Sequence, residues 1–265
     1  RNNRRGRANE NFCREIWELF SLGRDNGYTQ ADIEEGSKAF TGYRRRLNET
    51  TGQYFTEFDW TRMEEGEKVV FGVTIPAQPR DENLQDNYDE MVDITLSERS
   101  TEVSEFIARQ LFTWYAYSDP PQELVDQMSA VLRNNNWEIA PFLKALFTSE
   151  AFYSKRARDS QVKSPLQYSV GLIRATGLEI RNSTLDVALI DMEQRPSQPP
   201  GVQGWPEGQL WLSSQNMVYR INLARDVIVD INRQRGLGIE VGDLLPADPT
   251  AGNVVDSLAT RLGVT

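Results

Sequence analysis

The chain has 265 residues, of which 39% are hydrophobic and 26% are charged, and its formal net charge is −10. A chain of this length and composition can bury a substantial core, which excludes wholesale disorder. The acidic balance disfavours broad attraction to nucleic acid or anionic lipid, so we predict no nucleic-acid partner. No apolar run approaches the roughly 20 residues of a membrane-spanning helix, and we predict no transmembrane segment.

The chain has no histidine and one cysteine, and both counts limit its chemistry. Without histidine, these residues alone cannot supply Ser-His-Asp or Cys-His catalysis or a histidine-ligated zinc site. A single cysteine, Cys13, excludes an internal disulfide and a multi-cysteine metal site. Carboxylate chemistry and arginine-mediated anion binding remain open, and we predict no metal and no cofactor.

The first predicted element is an amphipathic helix that begins at Asn9 or Asn11, as its cap, and ends at Gly23. Its apolar residues recur at i, i+4, i+7 and i+8, which predicts one buried face made of Phe12, Ile16, Leu19 and Phe20. Cys13 lies next to this face, which favours a buried, inert thiol over a nucleophile.

The only β-prone part of the chain lies between residues 43 and 81. Residues 54–60 and 68–73 are rich in aromatic and β-branched side chains, and an acidic turn at residues 64–66 joins them. This pattern predicts a small β-hairpin around residues 54–75, inserted into a helical protein.

Helical periodicity dominates on both sides of this insertion. A second helix begins at Thr29, with Asp32 three residues later as a short variant of the capping box. Residues 194–208 form a long Pro/Gly-rich loop, and a long helix follows whose predicted apolar stripe is Met217, Ile221, Ala224, Ile228 and Ile231. We find no internal repeat or linker and predict one all-α domain over residues 1–265, with orthogonal-type helix packing.

Seven short segments, spread in order over nearly the whole chain, resemble one protein family. They are residues 3–15, 27–32, 40–42, 106–111, 163–165, 198–205 and 211–214. The family is the large bacterial family known as domain of unknown function 1800. The resemblance implies a mostly helical protein, commonly exported and often encoded beside proteins similar to alkaline-phosphatase-type or sulfatase-type hydrolases. It implies no established reaction, and from it alone we expect an extracytoplasmic location.

The chain departs from the family pattern at two places. Phe20 stands where family members often have histidine, which argues against a family-wide catalytic role at that position. Members also tend to carry a helical region upstream of residues 3–6 and a further helix downstream of Thr265. We therefore expect these residues to be the central to C-terminal portion of a longer protein, processed or partial.

Two groups of residues are candidate sites. The first, the acid–arginine cluster, lies on the first helix and consists of Glu10, Asn11, Arg14, Glu15 and Glu18. Its spacing allows same-face Glu10–Arg14 and Arg14–Glu18 pairs. We expect a structural network, and a ligand site or carboxylates with raised pKa values are the alternatives.

The second candidate is the loop that contains Arg195 and Trp205. Arg195 offers a fork of donors, and Trp205 offers a stacking face for a sugar or a partner chain. The favoured interpretation is that Trp205 packs onto the helices to seal the core. A third group, the acidic run from Asp81 to Asp93, lacks EF-hand spacing and indicates a solvated face.

These features predict an acidic, exported accessory or assembly protein that acts through protein–protein contacts. Its partner would be another protein or its own upstream segment. The alternatives are a hydrolase that uses carboxylates of the acid–arginine cluster on an extracellular polymer, and a carbohydrate-binding module with Trp205 as its platform. The missing catalytic residue types favour a role without catalysis.

Overall fold

The structure is a computed structural model that describes residues 3–158, 160–176, 182–233 and 245–262. Contacts between residues divide the chain into two compact units, Arg1–Arg158 and Asp159–Thr265. The single domain over residues 1–265 stays a prediction. No helix in the described ranges has both the length and the apolar character needed to cross a membrane.

The described residues are mainly helical, as predicted. Their α-helices are α1 (Glu10–Glu15), α2 (Gln30–Ala39), α3 (Tyr88–Glu98), α4 (Ser100–Tyr115), α5 (Gln122–Asn134), α6 (Ile139–Phe147), α7 (Pro165–Thr176), α8 (Asn182–Asp191), α9 (Ser214–Arg233) and α10 (Ala251–Leu262). Between α8 and the 3-10 turn at Gly208–Leu212 there is no helix or strand beyond an isolated bridge from Gly201 to Gly204. The predicted orthogonal packing stays a prediction.

The strands form two antiparallel hairpins, where the sequence predicted one. They are β1 (Tyr43–Leu47) with β2 (Tyr54–Phe58), and β3 (Lys68–Val70) with β4 (Val73–Ile75). The predicted pairing of residues 54–60 with 68–73 is therefore wrong.

Local turns and charge pairs explain the observed pairing. Phe71 and Gly72 both have positive φ, 52° and 81°, as a two-residue hairpin turn requires, so β3 closes on the segment directly after it. In the other hairpin, Arg44 and Arg46 both pair with Glu57 across the strands, at 3.2 and 2.8 Å. The sequence pattern missed β1 because its arginines resemble a solvated face.

The buried face of α1 differs from the predicted one. Cys13 and Trp17 are fully buried, whereas Phe12 and Phe20 are 37% and 59% exposed. The helix runs directly into a π-helical segment, Ile16–Ser21. A π turn takes up more residues than an α turn, so a 3.6-residue period cannot be continued through it.

The start of α2 is fixed by Asp32. The predicted capping box is confirmed, since Asp32 Oδ2 accepts from the Thr29 backbone N–H at 2.8 Å and Thr29 Oγ1 accepts from the Asp32 N–H at 3.2 Å. The other carboxylate oxygen, Oδ1, accepts from the backbone N–H of Phe71 at 2.8 Å. One side chain therefore caps α2 and fastens the β3–β4 turn to it.

In the second unit, α9 buries a different face from the predicted one. Met217 and Ile221 are 43% and 65% exposed, whereas Leu223 and Val227 are buried together with the polar residues Asn216 and Arg220. The side chains of Ile228 and Ile231 lie outside the described residues. The 3.6-residue period predicted that one face of α9 would be apolar and buried. In the structure the adjacent face, with Leu223 and Val227, packs against α7 and α8.

Gly36 on α2 sets how closely α1 can approach. A Cβ atom there would lie 2.7 Å from Cys13 Sγ and 3.0 Å from Trp17 Cη2. We expect Gly36→Ala to destabilise the protein by about 1–3 kcal/mol, because the buried neighbours cannot move away. This outweighs the gain of roughly 1 kcal/mol that alanine gives in an open helix position. The measurement is urea unfolding followed by tryptophan fluorescence.

Gly66→Ala is the control in the same unit. A Cβ atom there would meet nothing within 4 Å, and the residue has no positive φ. We expect this variant to change the free energy of unfolding by no more than about 1 kcal/mol. Equal stability of Gly36→Ala and the wild type would show that the helices do not depend on this contact.

Candidate functional site

The acid–arginine cluster closes on itself between α1 and α2. Arg14 Nη2 donates to Gln30 Oε1 at 2.8 Å and lies 3.9 Å from Glu10 Oε2. Gln30 Nε2 donates to Glu10 Oε2 at 2.9 Å and to Glu34 Oε1 at 3.2 Å. The side chains of Arg14 and Glu10 are 40% and 47% exposed, so water screens their attraction, which stabilises the fold by no more than about 1 kcal/mol.

The remaining members of the cluster lie apart from this ring. Glu18 Oε1 pairs with Arg24 Nε at 3.1 Å in place of the predicted pair with Arg14. Glu18 lies inside the π-helical segment, where the α-helical spacing behind that prediction does not hold. Glu15 is half-buried and has no ion pair or side-chain hydrogen bond within the part of the first unit that the structure describes. The backbone N–H of Asn11 donates to Asn9 Oδ1 at 3.1 Å, which makes Asn9 the cap.

Cys13 is fully buried, as predicted. Burial raises the pKa of its thiol above the ordinary range, and the nearby carboxylate of Asp32 adds to that rise. A hydrogen bond with Ser37 acts in the opposite direction and does not offset it. Because the thiolate is the reactive form of cysteine, this environment keeps the thiol unreactive.

The sequence patterns did not single out Lys68, whose side chain is only 2% exposed. Its Nζ donates to the carbonyl oxygen of Gly66 at 2.8 Å. Burial lowers the pKa of this ammonium, and the opposing carboxylates are those of Glu64, Glu90, Glu35 and Glu65. The burial of Lys68 could have been predicted from the alternation of side chains along β3, because Lys68 and Val70 are buried and Val69 between them is exposed.

Arg195 uses its fork within its own chain. Its Nε and Nη2 contact the two carboxylate oxygens of Asp186 on α8, at 3.0 and 3.2 Å, and Nη1 donates to Gln198 at 3.4 Å. This bidentate pair fastens the start of the 194–208 loop to α8. The fork is therefore occupied without an external ligand.

Trp205, in the same loop, is half-buried. Its indole Nε1 is enclosed and has no hydrogen-bond partner. An enclosed indole N–H is typical of a ring that packs against its own protein, whereas a partly open ring face is what a stacking platform needs. Whether Trp205 seals the core or binds a ligand stays a prediction.

A groove of about 430 Å³ lies between α8 and α9 in the second unit. Its lining includes Val187, Asp191, Tyr219, Leu223, Arg225 and Asp226. Arg225 Nη2 pairs with Asp226 Oδ1 at 3.1 Å, which leaves Asp191 as an excess negative charge of the groove. Within the ranges that the structure describes, no group of three or more carboxylate or thiol side chains is placed to hold a metal ion.

Both helices that form this groove carry exposed apolar side chains, and one of them, Val187, is among the groove's lining residues. The exposed side chains are Val187, Ile190, Met217, Val218 and Ile221, with exposed fractions between 43% and 65%. Sequence reasoning missed this surface because it assigned Met217 and Ile221 to the core. The sequence could have indicated this surface, because α9 has more apolar residues than can lie on one buried face of a helix.

The model of the family described as protein of unknown function (DUF1800) matches residues 1–265, which is the whole chain. The chain therefore belongs to this family, as its segments predicted. Neither a curated relative nor a solved structure matches it.

The burial of Cys13 predicts that the native protein resists thiol reagents. We expect its reaction with Ellman's reagent at pH 8 to be at least about 100-fold slower in the native state than in urea, since burial both shields the thiol and raises its pKa. The chain has one cysteine, so the absorbance reports this thiol alone. Comparable rates in both states would mean that α1 does not pack as the structure shows.

Proposed function

We propose that this protein is an exported accessory or assembly protein that binds another protein in the groove between α8 and α9. The exposed apolar side chains on these two helices carry the proposal, together with Val187 in the lining of the groove. The export is proposed from the family resemblance, because members of the family are commonly exported from bacteria.

Several apolar side chains on α8 and α9 are exposed to water. Val187 and Ile190 on α8 are 55% and 46% exposed, and Val218 and Ile221 on α9 are 55% and 65% exposed. Single exposed apolar residues are ordinary, but groups of them around a groove are typical of protein-interaction sites. A partner that covers these side chains would gain about 25 cal/mol for each Å² of apolar area that leaves water.

The charge of the surface indicates what kind of partner fits. Asp191 is left as the net charge of the groove, and the whole chain carries a formal charge of −10. A complementary partner would present apolar residues at helical spacing with Lys or Arg beside them. A second copy of this acidic chain is a poorer match, since like charges would oppose each other.

The geometry of the candidate sites supports a role without catalysis. Gln30 hydrogen-bonds to Glu10 and Arg14, and Arg24 pairs with Glu18. The charged groups of these three cluster residues are therefore engaged in contacts inside the chain. Asp186 likewise occupies the fork of Arg195. These contacts are those of side chains that brace a fold.

Site-specific photo-crosslinking in the producing bacterium tests this proposal. We expect p-benzoylphenylalanine at Val187, which lines the groove, to give one dominant adduct, because the partner covers this side chain. The same group at Val255 on α10 is the matched control, since both positions are exposed valines, Val255 at 64% and Val187 at 55%. We expect no such adduct from Val255.

Substitution in the groove provides the second readout. With the crosslinker at Val187, Val218→Asp should reduce the adduct at least about tenfold, because an aspartate at the contact must be desolvated. Circular dichroism and the melting temperature should not change, since Val218 is 55% exposed. An unchanged adduct, an adduct with an upstream segment of the same polypeptide, or an adduct with a second copy would each contradict the proposal.

A further inference from the structure

Arg220 on α9 is a buried cation that has no counter-charge among the residues that the structure describes. Its exposed fraction is 7%. In the described part of the second unit, the ion pairs join Arg195 to Asp186 and Arg225 to Asp226, and neither includes Arg220. Buried arginines are ordinarily paired with a carboxylate, because an isolated buried charge is strongly unfavourable.

The groups around Arg220 are neutral. Its Nη2 donates to the carbonyl oxygen of Lys163 at 2.7 Å, whereas its Nε is enclosed and has no hydrogen-bond partner in the described part of the chain. The guanidinium carbon lies 5.0 Å from the centre of the Tyr168 ring, and the Tyr168 hydroxyl donates to the backbone carbonyl of Arg220 at 3.0 Å. Burial raises the pKa of Tyr168, so its phenol stays protonated at neutral pH and supplies no negative charge.

A second buried polar group lies one turn before Arg220. Asn216 is 5% exposed, and its Oδ1 is enclosed without a donor. Its Nδ2 donates to Ser213 Oγ at 3.3 Å. Side chains on a helix lean toward the N-terminus, so the Arg220 guanidinium lies over the turn that contains Asn216.

Two helix N-termini add to the positive potential at this place. Lys163, whose carbonyl oxygen accepts the hydrogen bond from Arg220, lies two residues before the start of the 12-residue α7. Asn216 lies in the first turn of the 20-residue α9. Neither helix has an acidic residue in its first turn. The backbone N–H groups of Leu166 and Gln167 at the start of α7 already donate to Gln194 Oε1 and Ser164 Oγ, so α7 contributes its dipole, which favours an anion, and not these donors.

We infer that this place is a binding site for a protonated phosphate group, either inorganic phosphate or a phosphate monoester. Arg220 supplies the charge and its unpaired Nε as a donor, and the starts of α7 and α9 supply positive potential. Asn216 Oδ1 accepts the hydrogen bond of the P–O–H group. Sulfate has the same shape but no such hydrogen at neutral pH, so the site selects phosphate over sulfate. This site lies on the buried face of α9, whereas the proposed protein contact uses its exposed face.

Thermal unfolding at pH 7 tests this inference, with sodium phosphate, sulfate or chloride at equal ionic strength. We expect inorganic phosphate to raise the melting temperature of the wild type with its concentration, since a ligand that binds only the folded state stabilises it. We expect a smaller rise in sulfate and none beyond the ionic-strength effect in chloride. Glycerol phosphate in a parallel series distinguishes a monoester from the free ion as the preferred ligand.

Arg220→Met separates binding from folding. In chloride it should be as stable as the wild type or more stable, because it removes an unpaired buried charge, and it should lose the response to phosphate. Arg225→Met is the control on the same helix, since the Arg225 side chain is 69% exposed and pairs with Asp226. This variant should keep the full response.

Asn216→Asp gives an independent test if Arg220→Met does not fold. It places a carboxylate one turn from Arg220, so the protein should become more stable in chloride and its dissociation constant for phosphate should rise at least about tenfold. Calorimetric titration with inorganic phosphate measures that constant. An equal phosphate response in the wild type, Arg220→Met and Asn216→Asp, or an equal response of the wild type to sulfate, would overturn the inference.

Discussion

The packing of the first unit depends on the close approach of α1 to α2 at Gly36. Cys13 and Trp17 fill the space that any larger residue at position 36 would need. Trp17 also donates from Nε1 to Thr95 Oγ1 at 3.2 Å, and this buried hydrogen bond ties the π-helical segment after α1 to α3. Asp32 continues the chain of contacts, because it caps α2 and holds the β3–β4 turn. A π-helical segment directly after α1 is the local adjustment that accompanies this approach.

The second unit depends on the orientation of α9, which turns apolar residues outward and polar residues inward. Met217 and Ile221 meet water, whereas Asn216 and Arg220 are buried. An ordinary amphipathic helix does the opposite, because burial favours apolar side chains and disfavours charges. Leu223 and Val227 are buried on the same helix, so the unusual cost of this orientation is the burial of Arg220. A protein partner on the outer face and an anion at the inner face are the two binding partners that the chemistry of these side chains indicates.

The sequence predicted the features that depend on interactions between residues close together in the chain. The capping box of Thr29 and Asp32 involves residues three apart, and the Asn9 cap lies at the start of its own helix. The burial of Cys13 and the helical class followed from local spacing. The Glu10–Arg14 pair also formed, because four residues on an α-helix bring two side chains to one face. The segments of the DUF1800 family were sufficient to place the chain in that family.

The sequence by itself determined which segments are helical, where several begin and which family the chain belongs to. Only the tertiary structure decided which stripe of a helix is buried, which strands pair and which charges lack a partner. The physical reason is that period 3.6 or period 2 gives the spacing of side chains, whereas the burial of Arg220 against Tyr168 depends on residues about 50 positions apart. Likewise, β1 and β2 pair across arginines that resembled a solvated face, because Glu57 on the neighbouring strand neutralises them.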